Sequence, residues 1–131
     1  MKRTEARKQA FELLFEHEFG VNDKIAQTVD CAVEERGLDD DAYVRKVTFG
    51  IEERREELDE IIKKYAVGYK INRISCVSRS ILRLAIYEIL YVEDVPAGAA
   101  INEAVELAKK YESEDAGAFI NGILGEFVRS E

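Results

Sequence analysis

Apolar residues recur at helical three-to-four spacing along most of the chain. The pattern is clearest in the blocks ILRLAIYEIL, INEAVELAKKY and FINGIL, which lie between residues 81 and 124 and are separated by Pro96 and a short polar bridge. Three consecutive amphipathic helices must share one core, so this segment predicts a helical bundle. No stretch alternates with period two, and the predicted fold class is therefore all-α.

Breaks in the pattern predict three helices in the first half of the chain. The first begins at a Thr4 N-cap and ends before Gly20. The second begins with an Asn22 cap and ends at Gly37. The third is long and is predicted to bend at Gly50.

Three further helices are predicted after a loop over residues 66–76. Their predicted starts are Ser75 or Ser78, Gly98 after Pro96, and the cap residues Ser113 to Asp115. We therefore expect a single domain over residues 1–131, a bundle of six to seven helices. Two three-helix halves, at about residues 1–66 and 75–131, are expected to pack together.

Composition predicts a soluble cytoplasmic protein without a cofactor. The 131 residues are 47% hydrophobic, enough for one core, and no apolar run is long enough for a membrane span or a signal peptide. Cys31 and Cys76 are isolated, and His17 is the only histidine. This spacing predicts reduced, packed thiols and no metal site.

The charge distribution is uneven. The net charge of −8 excludes a protein that coats nucleic acid through an overall positive potential. Residues 1–10 nevertheless contain Lys2, Arg3, Arg7 and Lys8 against Glu5 alone, a local charge of +3 that leaves −11 for the remainder. A basic arm on an acidic body is predicted, so any RNA site must be local.

No arrangement of residues predicts an enzyme. The carboxylates Glu88, Glu103 and Glu106 lack the Glu-x-x-His partners of a di-metal bundle. Neither Ser78 nor Ser80 has a residue to act as its base, and no Gly-rich phosphate loop precedes a helix.

Arg83 is predicted to have a structural role. It lies among Leu82 and Leu84, so its guanidinium needs a buried partner. Asn102 and Glu103 are the candidates, and INE is interpreted as a contact between helices and not as a ligand site.

Four motifs in order, LRLAIYE, Pro96, INEAVELAK and FINGIL, resemble the NusB family of transcription antitermination factors, as does RKQAFELLF at residues 7–15. The resemblance covers most of the chain, and residues 21–65 are the least distinctive part. It implies a NusB-like fold and a non-enzymatic role on elongating RNA polymerase in ribosomal RNA operons. The implied partners are the single-stranded boxA element of leader transcripts and the small-subunit ribosomal protein NusE.

The resemblance favours RNA binding by the basic arm. Arg3 and Arg7 are four residues apart on one predicted face, and Lys8 borders that face, so with Lys2 these cations could follow a run of phosphates. A solvated helix face is the alternative for the same residues.

The junction between the last two helices is the second implied RNA surface. Its candidates are Lys109, Asp115 and Phe119, of which Lys109 also suits the helix dipole and Asp115 also suits a helix cap. Phe119 is interpreted either as a core residue or as a platform for base stacking.

The resemblance implies NusE contacts at Phe15, Ser78 and Arg79, although the chain departs from the family there. Phe15 stands where tyrosine is common, and Ser78 where an acidic residue is common. On the RNA side, Ala118 replaces a common lysine and Glu5 interrupts the basic run, so weaker RNA binding by the isolated chain is expected.

Two alternatives remain open. NusB-like domains also occur as the N-terminal part of ribosomal RNA cytosine methyltransferases, but this sequence has no following cofactor-binding fold or catalytic cysteine motif. A structural homodimer that masks the basic face is the other alternative.

Overall fold

The computed structural model describes all residues from Met1 to Glu131. Seven α-helices and one 3₁₀ turn follow one another along the chain, without a strand. Their bounds are α1 Arg3–Phe19, α2 Ile25–Arg36, α3 Ala42–Glu53, α4 Arg55–Tyr65, the 3₁₀ turn Ile71–Arg73, α5 Cys76–Tyr91, α6 Ala97–Tyr111 and α7 Glu114–Ser130. The predicted all-α fold is confirmed. None of the helices combines the length and the apolar character needed to cross a membrane.

Helix α5 is the central element of the bundle. Its N-terminus is capped by the Ser75 hydroxyl, which accepts the backbone N–H of Ser78 at 3.1 Å. Every residue from Ser80 to Glu88 is buried. A helix buried on all sides needs neighbours on all sides, and α5 contacts α1, α3, α4, α6 and α7.

Small residues bring α6 and α7 close together. Ala104 and Ala108 of α6 are buried, and so is Gly117 of α7. A Cβ atom on Gly117 would lie 3.1 Å from the side chain of Lys109, so a larger residue would require that side chain to shift. The predicted Ser113 cap is confirmed, since its hydroxyl accepts a backbone N–H of the first turn of α7 at 3.0 Å.

Two predicted caps are wrong. Lysines occupy the cap positions of α1 and α2. Thr4 lies inside α1, where its hydroxyl donates to Glu103 at 3.1 Å. Asn22 precedes α2 and its amide donates to Thr28 at 3.4 Å. Both side chains therefore have tertiary partners that were not visible in the sequence.

The predicted partners of Arg83 are also wrong. Its Nε donates to Asp59 of α4 at 2.7 Å, and its Nη1 donates to Glu18 of α1 at 2.8 Å. The buried arginine therefore joins α5 to two other helices. Glu103 instead faces α1, which agrees with its predicted role as a contact between helices, whereas Asn102 is exposed.

Both cysteines are free thiols. Cys76 is half-buried, but Cys31 is exposed, so the prediction of two packed thiols is wrong for Cys31. No group of three or more His, Cys, Asp or Glu side chains is placed to hold a metal ion.

The long third helix is divided, but not at Gly50. Helix α3 ends at Glu53 and α4 begins at Arg55, with Arg54 between them at φ −109° and ψ 20°. Residues 52–57 are all charged and exposed, and their contacts with neighbouring elements are polar, such as Arg55 to Glu18 at 2.9 Å and the N–H of Ile25 to Glu52 at 2.6 Å. Gly50 has a different role, because a Cβ atom there would overlap the hydroxyl and ring of Tyr87 on α5.

Gly50→Ala is therefore expected to destabilise the protein, by about 1–3 kcal/mol for an overpacked contact. Gly122→Ala is the matched control, since a Cβ atom at this exposed position in α7 meets nothing within 4 Å. Alanine has a higher helical propensity than glycine, so Gly122→Ala should stabilise the protein by about 0.5–1 kcal/mol. Urea unfolding of both variants checks the prediction, and equal stability of the two would contradict it.

Candidate nucleic-acid interface

Arg7 is buried, contrary to its predicted place on an RNA-binding face. Only 5% of the residue is exposed. Its Nε donates to both carboxylate oxygens of Glu88 on α5, at 2.9 and 3.0 Å, and its Nη1 lies 3.6 Å from Glu103. Withdrawing Arg7 to bind phosphate would leave the Glu88 charge buried and unpaired. The structure therefore assigns Arg7 to the core.

Tyr43 of α3 completes this buried group. Its hydroxyl donates to Glu88. Burial first, and then the hydrogen bond to Glu88, raise the pKa of the Tyr43 phenol, so it remains a donor at neutral pH. The Glu88 carboxylate thus connects α1, α3 and α5.

Lys2 and Arg3 lie at the start of α1, and Arg3 contacts the same Tyr43. The Arg3 guanidinium lies 3.9 Å from the centre of the Tyr43 ring, and its Nη2 is 3.3 Å from Asp94. The hydrogen bond from Arg3, followed by its charge, lowers the pKa of Asp94. Lys2 is exposed. The basic arm is therefore folded against the bundle, with Arg3 partly exposed.

Lys8 lies against Lys110 at the end of α6. The pKa of Lys110 is lowered first by its hydrogen-bonding contact with the Lys8 amine and then by repulsion between the two charges. Neither lysine is among the cations of this chain that form ion pairs. Both line a groove of about 220 Å³ between α1 and α6. Glu103 and Glu106 line the same groove, but they lie near Arg7 and Lys109, so the two ammonium groups remain available to a bound anion.

The predicted residues of the α6–α7 junction lie close to one another. Lys109 is exposed, with its Nζ 3.9 Å from both Glu106 and Glu114. Asp115 is exposed in the first turn of α7. Phe119 is half-buried and packs against the edge of the core, so its ring has both a buried and an accessible part.

Two residues that border this junction, both in the connection between α4 and α5, were missed in the sequence. Tyr69 is 56% exposed, and its ring lies edge-to-face on Phe119, with 5.0 Å between ring centres. Tyr69 and the exposed Arg73 line a pocket of about 360 Å³ together with Asp115 and Phe119. An exposed aromatic residue beside Gly68 in a basic loop is the signal that could have identified them.

The three predicted partner residues differ in their surroundings. Ser78 is only 2% exposed, and its hydroxyl donates to Glu112 at 3.3 Å, so the structure corrects its predicted contact with a protein partner. Arg79 is half-buried, and its Nε has no acceptor.

Phe15 belongs to a separate apolar groove. It lies in a row of aromatic rings along α1, with ring centres 6.1 Å from Phe11 and 5.2 Å from Phe19. The groove has a volume of about 490 Å³ and includes Val77, the residue before Ser78, and Tyr111. Phe19 at its end is 70% exposed.

Comparison with known proteins identifies close relatives. Residues 4–129 match the model of the NusB family. The transcription antitermination protein NusB of Ruminiclostridium cellulolyticum is 44% identical over 133 residues, which cover 100% of this chain and 91% of that protein. The protein of the same name from Bacillus subtilis is 40% identical over 127 residues, which cover 95% of this chain and 92% of that protein. Such relatives confirm the prediction of a non-enzymatic factor.

Solved structures agree with this assignment. T. maritima NusB superimposes with a TM-score of 0.90 at 34% identity, covering 100% of this chain and 93% of that one. A chain from a crystal structure of antitermination factors NusB and NusE in complex with dsRNA gives a TM-score of 0.86 at 29% identity. The match covers 98% of this chain and 97% of that one. From its sequence and from its fold, the chain belongs to the NusB family.

Proposed function

We propose that the chain is a transcription antitermination factor that binds boxA-type single-stranded RNA together with NusE and acts on elongating RNA polymerase. The family relationship and the structure of NusB and NusE with dsRNA support RNA and NusE as partners. Within this chain, the observation that carries the proposal is that Lys8 and Lys110, two cations without ion pairs, line one groove between α1 and α6 in a protein of net charge −8.

Phosphate binding is assigned to the cations at the start of α1 and the end of α6. Lys2, Lys8 and Lys110 form no ion pair, whereas the Nζ of Lys109 lies 3.9 Å from the exposed carboxylates of Glu106 and Glu114. Arg3 is partly exposed and can exchange Asp94 for a phosphate. Phosphate contacts made by these groups would provide affinity and would displace counterions, so binding should weaken with salt.

Base contacts are assigned to the α6–α7 junction. The rings of Tyr69 and Phe119 meet edge-to-face at the surface, which leaves aromatic area for an unstacked base. Asp115 lies beside them and would repel a phosphate, so this part of the surface suits bases and not the RNA backbone.

NusE binding is assigned to the apolar groove that contains Phe15. The ring of the exposed Phe19 packs edge-to-face on Phe15 of the groove, and a protein partner would cover both. Tyr111 lines the groove and directly follows Lys110, so the NusE and RNA surfaces share a border. Burial, and then a hydrogen bond to Glu12, raise the pKa of Tyr111 to about 12 and keep its hydroxyl protonated. This shared border supports joint binding of the two partners.

The chain is expected to bind a boxA oligonucleotide in preference to a scrambled one, and NusE should increase the affinity. Fluorescence anisotropy with and without NusE measures both effects. The proposal fails if no preference for boxA is found in either condition. Sedimentation of the same samples tests the homodimer alternative, in which the chain would remain a dimer at every RNA concentration.

Lys110→Gln and Lys8→Gln should each weaken RNA binding and make its salt dependence shallower. For single-stranded RNA, one lost phosphate contact reduces the slope of log affinity against log salt by about 0.7. Lys63→Gln is the control, since Lys63 pairs with Glu60 on α4 and does not line the groove between α1 and α6. Equal slopes for the wild type and the three variants would show that Lys8 and Lys110 do not bind RNA phosphates.

A further inference from the structure

The pocket of about 360 Å³ beside Tyr69 has a polar wall that base stacking does not explain. Its volume lies within the range of about 300–1,000 Å³ that is common for small-ligand sites. One side comes from the connection between α4 and α5, and the other from the junction between α6 and α7. The Glu112 carboxylate lines this pocket between the two segments.

Glu112 is held in place by two hydroxyl groups. Ser75 donates to its Oε1, and the buried Ser78 donates to its Oε2 at 3.3 Å. The Ser75 oxygen also caps α5, so the carboxylate is fixed to a helix end. Each carboxylate oxygen accepts about two hydrogen bonds, which leaves one acceptor position free on each oxygen of Glu112.

A fixed pair of acceptors selects a ligand with two parallel N–H donors. Among the four RNA bases, only guanine has two adjacent donors, N1–H and N2–H, on its Watson–Crick edge. Adenine and cytosine have one amino group beside a ring acceptor, and the N3–H of uracil lies between two carbonyl oxygens that a carboxylate would repel. A phosphate is repelled as well.

We propose that this pocket binds one unstacked guanine base, which donates N1–H and N2–H to Glu112 and stacks on the rings of Tyr69 and Phe119. The exposed Arg73 at the rim is placed to bind a flanking phosphate. The inference rests on the proposed RNA-binding function and adds a base preference to it. Glu112 is then a specificity-determining residue of the RNA site.

Short uridine oligonucleotides that carry a single central guanosine, adenosine or cytidine, or none, test the inference by anisotropy. The guanosine oligonucleotide should bind roughly tenfold more tightly than uridine alone, the discrimination expected of one bidentate contact. In Glu112→Gln the amide has only one acceptor, so the ratio of guanosine to uridine affinity should fall close to unity.

Glu114→Gln is the matched control. It removes the same charge two residues away, at a side chain that is 85% exposed, and it should preserve the guanosine preference of the wild type. Thermal unfolding confirms that both variants are folded. Binding without a guanosine preference, or a preference that Glu112→Gln retains, would overturn this inference alone. If no oligonucleotide, including boxA RNA with NusE, binds above a scrambled control, the proposed function fails together with it.

Discussion

The buried ion pair between Arg7 and Glu88 is the constraint on which the surface of this protein depends. Two charges inside a core are costly unless each is fully paired, and here Glu88 accepts both from Arg7 and from Tyr43. The requirement fixes α1 and α3 against α5. It also sets the faces of α1: Lys8, the next residue, meets Lys110, and Arg3, one turn earlier, covers the Tyr43 ring. The position of the basic surface therefore follows from a contact in the core.

A second buried arginine needs carboxylate partners in the same way, and one of them lies at the other end of α1. Arg83 of α5 pairs with Glu18 and Asp59, which come from α1 and α4. An aliphatic core can accommodate many helix arrangements, whereas a buried guanidinium accepts only one that brings carboxylates to it. The two arginines together specify where α1 lies along α5. Lys8 of the lysine pair and Phe15 of the apolar groove lie on α1 between these two anchors.

The sequence predicted the bundle because its apolar periodicity, Ser75, Ser113 and Pro96 act locally. It could not predict the partners of buried charges, since Arg7 and Glu88 are separated by 81 residues and Arg7 shares a helical face with the surface residue Arg3. The break at residue 54 was missed because it falls among exposed charged residues and not at a glycine. Tyr69 was overlooked because nothing in the loop pattern revealed that it meets Phe119.

A double-mutant cycle on Arg7 and Glu88 tests the central claim most directly. The free energy of unfolding is measured by urea titration for the wild type, Arg7→Met, Glu88→Leu and the double variant. Each single change leaves a buried charge without its partner and should cost about 3–5 kcal/mol, whereas the double variant removes both charges and should recover most of that loss. A coupling of about 2 kcal/mol or more is expected. Single effects that add within about 0.5 kcal/mol would show that the pair does not hold the helices together.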